Sequence, residues 1–233
     1  MRMPPVRRGV LVPEMTATEA RPRALEQQFE SLDAQHDARK LGMWIFLATE
    51  VMFFGGLFMT YTLYRELYLP GFEQGSHLLE VKWGALNTGV LILSSLTMAL
   101  AVRSAQVAAR KVITIGLLGI TMLLGTAFLA IKFLLEWRHD YAQHFVPGIN
   151  FAYAGPCAAH VQLFFCFYFF TTALHALHLI IGIGILAVLA VLTWRGRFSD
   201  QYYSPLEVAA LYWHFVDIVW IFLFPLLYLI GGR

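Results

Sequence analysis

Five stretches of this chain, residues 41–64, 83–102, 112–135, 161–194 and 208–230, are almost wholly apolar. Each reaches the ~20 residues that a helix rising about 1.5 Å per residue needs to cross a hydrocarbon layer of roughly 30 Å. Inside a bilayer no water satisfies backbone N–H and C=O groups, so a stretch of this length must be helical. The pattern predicts an all-α fold: a polytopic membrane bundle of five transmembrane helices. The fourth stretch is long enough to tilt or to project beyond the bilayer. Composition matters here for what it excludes. With 58% hydrophobic and 14% charged residues the chain is no soluble globular enzyme. A formal net charge of +2 without a Lys or Arg run gives nucleic acid nothing to bind. No internal repeat and no matched pair of Gly/Pro-interrupted segments points to an alternating-access transporter.

Orientation follows from the basic residues. Placing the N-terminus inside puts Arg2, Arg7, Arg8, Arg21, Arg23, Arg39, Lys40, Arg103, Arg110, Lys111, Arg195 and Arg197 on the inner side, 12 of the 17 Lys and Arg. Arg65, Lys82, Lys132, Arg138 and Arg233 remain outside, so the positive-inside rule predicts a cytoplasmic N-terminus and a periplasmic C-terminus. Lys132, near the outer end of the third span, is expected to snorkel to the interface, where Trp83, Trp137 and Trp194 serve as anchors. Residues 1–15 hold no apolar stretch of signal-peptide length. From Pro22, Leu25, Phe29 and Leu32 recur at helical spacing among Glu26, Glu30 and Asp33, which predicts an amphipathic helix. The chain therefore divides into a cytoplasmic segment, 1–38, and a five-helix transmembrane domain, 39–233. Cys157 and Cys166 lack metal-type spacing and are read as small buried packing residues without a disulfide.

The candidate site residues are the polar groups that the spans carry into the membrane, where an ionisable side chain needs a partner, a proton or a water-lined cavity. Glu50 lies about 14 Å into the first span, and Asp217 stands at a similar depth in the last. Three readings of Glu50 stay open: a protonated carboxyl bonded to a neighbouring helix, a proton-exchanging site, or a ligand for a transported substrate. His175 or His178 is at a suitable depth to be its partner. Those two histidines share a helix face at i, i+3, but His214 sits on the order of 10 Å away in depth, beyond one coordination sphere, so no metal site is expected. His214 and Asp217 form a stripe facing another helix, with Trp213 and Trp220 nearby. Asn87 and Thr88 are placed to hydrogen-bond across helices, and Gly55-Gly56, Ser94-Ser95, Gly182 and Gly184 permit close backbone approach. No phosphate loop, copper-type Cys pair, Ser/His/Asp grouping or haem-ligating His set occurs.

Four blocks carry a resemblance: RKLGMWIFLATEVMFF from Arg39 to Phe54; LNT at 86–88 with Ser94-Ser95; LHALHLIIG at 174–182; and YWHFVDIVW at 212–220, which is the most specific. In this order they resemble subunit III of the haem-copper terminal oxidases, the family of cytochrome c oxidase and the quinol oxidases, from about residue 39 to 230. The longer members have two further spans before the glutamate-bearing helix, so this chain is similar to the five-span bacterial form. The family's GFHGLH pattern reads Ala173-Leu174-His175-Ala176-Leu177-His178 here.

The resemblance implies a non-catalytic subunit of a proton-pumping oxidase in a bacterial inner membrane, needed for aerobic respiratory electron transport. It implies no cofactor in this chain, with haem and copper held by partner subunits. The chain would pack on catalytic subunit I and other oxidase subunits, bind structural phospholipids and other membrane lipids in a cleft, and support proton uptake and sustained turnover. Glu50 sits at the family's buried, carbodiimide-reactive carboxyl position. His175, His178, His214 and Asp217 sit at its polar core positions, and Trp44, Gly55 and Gly56 are candidates for lipid contact or close packing. Alternatives are subunit III of a quinol oxidase, an accessory protein of nitric oxide reductase and, from another class, a stand-alone proton-coupled transporter using Glu50 and Asp217 as its relay.

Overall fold

The computed structural model describes residues 32–107, 111–195 and 204–229. Its regular elements are all helices, without a strand among the described residues. Most of the 1–38 segment, with the start of its amphipathic helix, lies outside them. Helices α1 (Leu32–Leu67), α3 (Val81–Gln106), α6 (Ala158–Trp194) and α7 (Ser204–Tyr228) contain four of the apolar stretches. The third is the composite helix formed by α4 (Lys111–Ala130), a π-helical segment (Ile131–Trp137) and α5 (Arg138–Ala142). All five are long and apolar enough to cross a membrane.

A short helix, α2 (Leu69–Leu78), follows α1 at once, with Pro in its first turn where a missing N–H does no harm. It lies against α6 because Gly71 and Gly75 bring the backbones together. An added Cβ would stand 2.4 Å from His160 Cβ and 2.4 Å from Phe164 Cδ1, respectively.

The helices α3, α4, α6 and α7 form the body of the bundle, each packed on two of the others, around Trp213, Trp220, Phe164, Phe165, Tyr168, Leu118 and Met98. Helix α1 stands apart. It touches mainly α7 and α2, and its outer face shows Trp44 (60% exposed), Met52 and Met59. Three polar ties at different heights fasten it. Glu207 at the start of α7 accepts from His36 (3.0 Å) and Lys40 (3.3 Å) of α1, and from Gln106 of α3 (2.8 Å). Glu50 meets His178 on α6, and Tyr61 Oη donates to the Leu226 carbonyl (2.9 Å).

Several expectations are corrected. Gly55 and Gly56 face outward, and among the described residues nothing lies within 4 Å of an added Cβ there or at Gly184, so no close approach among these residues explains them. Gly182 does meet Trp213, at 3.1 Å. Cys157 and Cys166 are exposed rather than buried, Cys157 capping α6 at φ 56°. Lys132 does not snorkel: it is 0% exposed, because the helix continues past residue 135 and turns that side chain into the bundle.

Candidate functional site

The gap left by the leaning α1 is a lateral cleft of about 770 Å³ between α1, α6 and α7. Its walls include Met43, Phe46, Ile181, Ile185 and Leu189, and Arg39 lines it about 16 Å along α1 from Glu50. Glu50 and His178 also line this cleft, with their side chains 18% and 15% exposed. Glu50 Oε2 is 3.2 Å from His178 Nε2. The other ring nitrogen, Nδ1, lies 2.8 Å from the Leu174 carbonyl of its own helix. A carbonyl oxygen only accepts, so Nδ1 carries a proton. One proton is then shared between Nε2 and the carboxylate: a neutral acid donating to a neutral imidazole, or a carboxylate accepting from an imidazolium. The pair thus forms a hydrogen-bonded acid–imidazole contact on the wall of an apolar cleft. Tyr212 Oη braces it by donating to the His178 carbonyl (2.9 Å), and Phe54 sets a ring edge-on to the imidazole at 5.2 Å.

His175, the other partner considered for Glu50, points into the bundle instead. Its ring lies 5.4 Å from Phe128 and 5.3 Å from Trp220, and neither nitrogen has a hydrogen-bond partner among the described residues. Three residues along a helix turn the side chain by about 300°, enough here to separate the two histidines into different surroundings.

On α7, His214, Trp213 and Trp220 meet polar groups of α3. Ser95 Oγ lies 2.7 Å from His214 Nδ1, Trp213 Nε1 donates to Ser94 Oγ (3.0 Å), and Trp220 Nε1 donates to Thr88 Oγ1 (3.1 Å). Asp217 is 3% exposed, with no donor in full hydrogen-bond geometry to either carboxylate oxygen among the described residues.

A third polar cluster is one that sequence reasoning misses. Lys132 Nζ donates to Glu136 Oε2 (2.8 Å), Tyr168 Oη (3.1 Å) and Tyr228 Oη (2.6 Å), which uses all three ammonium donors. Both hydroxyls pass their own hydrogens to Glu136 Oε2, and Asn87 Nδ2 donates to Glu136 Oε1 (3.3 Å). The ammonium also lies over the Tyr168 ring at 4.6 Å. The π-helical turn widens the helix at this point and carries both charged residues inward. The available signal was the i, i+4 spacing of Lys132 and Glu136, which the apolar boundary at 135 cut in two. Just beyond the cluster, the carboxylate of Glu80, between α2 and α3, is held below its usual range by its hydrogen bond to Lys82 (3.0 Å). Among the described residues no three His, Cys, Asp or Glu side chains converge as a metal site would require.

The sequence family described as cytochrome c oxidase subunit III matches residues 27–232. Similar proteins include the cytochrome bo(3) ubiquinol oxidase subunit 3 of Pseudomonas aeruginosa, 31% identical over 203 residues, covering 86% of this chain and 90% of that protein. The cytochrome c oxidase subunit 3 of Synechocystis is 34% identical over 201 residues, covering 83% and 76%. A probable quinol oxidase subunit 3 of Staphylococcus aureus is 27% identical over 203 residues, covering 87% and 94%.

Proposed function

Since the chain belongs to the cytochrome c oxidase subunit III family, we propose that it is the non-catalytic subunit III of a proton-pumping haem-copper terminal oxidase in a bacterial inner membrane. In this role it packs on catalytic subunit I, holds phospholipid in the cleft beside α1, and supports proton uptake and sustained turnover. The observation that carries the reading is the Glu50–His178 contact, 3.2 Å between carboxyl and imidazole, in the wall of a cleft about 770 Å³ in volume. An apolar trough with Arg39 along it suits an acyl chain below an anionic phosphate. The half-buried pair gives that trough a group that can load and release a proton. N-in, C-out orientation is part of the proposal, supported by Arg39, Lys40, Arg103, Lys111 and Arg195 gathering at one end of the bundle.

The cytochrome c oxidase type is the form proposed. A quinol oxidase is the second reading, favoured by the relatives from Pseudomonas and Staphylococcus. Gentle solubilisation and affinity isolation of the tagged chain tests the whole reading. Co-purifying haem with an oxidase spectrum, together with retained phospholipid, is the expected result, and oxidation of cytochrome c or of quinol by that complex assigns the donor. A chain that purifies alone and moves protons across liposomes would replace it with a transporter, and co-purification with a nitric oxide reductase would replace it with the accessory role.

A further inference from the structure

The bundle has a second lateral opening, a groove of about 430 Å³ between α3 and α7, and its chemistry differs from that of the cleft beside α1. Ile92, Ile218 and Ile221 on its walls are about half exposed. Ser95, His214 and Asp217 line the same groove. Asp217 stands about 20 Å from the start of α7 and about 16 Å from its end, so the groove opens sideways near the middle of the membrane. A lipid headgroup does not reach that depth, and an acyl chain offers no hydrogen-bond donor. Yet neither carboxylate oxygen of Asp217 has a donor in full hydrogen-bond geometry among the described residues; the Ser95 hydroxyl on the same wall reaches towards it but is bonded to His214 at 2.7 Å, which leaves the carboxyl under-satisfied. Ionisable groups at this depth pair with other polar groups or face water.

We propose that this groove seats a transmembrane helix of a partner subunit that brings a hydrogen-bond donor, a hydroxyl, amide or guanidinium, to Asp217. The inference rests on the reading of the chain as an oxidase subunit. A second copy of the chain is a poorer match. Its exposed threonines Thr49, Thr60, Thr62 and Thr126 already donate to carbonyls of their own helices.

The test uses the assembled complex in native membranes, with a photo-crosslinking residue placed in turn at Ile92, Ile218 and Ile221. The expected product is an adduct with a transmembrane segment of another oxidase subunit, identified by mass spectrometry as one carrying a donor side chain. Adducts with phospholipid alone, with a second copy of the chain, or with no protein overturn the proposal. For the donor itself, Asp217→Asn keeps an accepting oxygen and should retain the haem-bearing subunits like the unaltered chain. Asp217→Leu should lower their retention on detergent challenge about tenfold, the loss of one hydrogen bond. Equal retention by the two variants overturns the pairing. Should the Leu variant fail to accumulate, Ile221→Trp blocks the groove from its rim and should cause a similar loss; unchanged retention would overturn the seat. Failure of the unaltered chain to bring down haem would remove the oxidase reading instead, so the two failures are distinguishable.

Discussion

Replacing Lys132 by Met removes the only cation in a cluster in which every donor and nearly every acceptor has a partner. Its ammonium makes three bonds, at 2.8, 3.1 and 2.6 Å, and lies over three aromatic rings. In the variant, Glu136 keeps the two tyrosine hydroxyls and Asn87 but loses its counter-charge. Breaking a buried pair on one side costs roughly 3–5 kcal/mol, and the remaining donors set the value at the low end, about 3 kcal/mol. Glu136→Gln strands the ammonium in the same way and should cost a similar amount. The double variant Lys132→Met/Glu136→Gln removes the charge of both partners and leaves only the buried Asp140 carboxyl nearby, while the amide still accepts from both tyrosines, so its loss should be about 2 kcal/mol and the coupling about 4 kcal/mol. Reversible unfolding of the purified complex in mixed detergent micelles, followed by far-UV circular dichroism, measures the cycle. A coupling below about 1 kcal/mol, the scale of ordinary interhelical hydrogen bonds in membranes, would refute the assignment of a buried ion pair.

Glu50→Gln keeps a hydrogen-bonding group against His178 but cannot exchange a proton, so assembly should persist while turnover of the purified oxidase declines sooner; loss of the assembled complex would mean that the carboxyl is needed structurally. Gly75→Leu forces a side chain into Phe164 and should destabilise the bundle by about 1–3 kcal/mol in the same unfolding assay, whereas Gly55→Leu, which meets open space, should leave the isolated chain unchanged. Glu207→Ala cuts the tie among α1, α3 and α7, so hydrogen exchange at the first described turns of α1 should quicken, with about 1 kcal/mol lost overall because the groups are partly exposed.

Much of this arrangement is legible in the residues because the bilayer admits so few alternatives. Each apolar stretch is a helix, and depth counted along the chain brings Glu50 level with a histidine on α6. Depth does not give rotation, however. Choosing His178 over His175 depends on how α6 is turned by Trp213 packing into Gly182, a tertiary fact. The same gap explains Gly55 and Gly56, whose size permits an approach that none of the described helices makes. The end of the third span was misread for another reason. Hydropathy treats Lys132, Glu136 and Asp140 as a signal to leave the membrane, yet the first two pair with each other inside the bundle, and the helix runs on past them to Ala142. Asp217 is marked by its charge in the sequence, but the shortage of hydrogen-bond donors around it among the described residues depends on how α3 and α7 are rotated against each other.

The separation of α1 from its partners also governs biogenesis. Glu50 and His178 are 128 residues apart in the chain, so at roughly 5–20 residues per second the carboxyl enters the membrane some 6–26 s before its imidazole is made. Tyr61 waits longer still for Leu226. The first helix therefore has to insert on its own hydropathy, carrying an unmatched acid. The cleft is assembled last, around whatever lipid already lies beside that helix when α6 and α7 arrive. On the proposed phospholipid reading of the cleft, loading of the trough is a step of synthesis, and the composition of the membrane at that moment is written into the finished subunit.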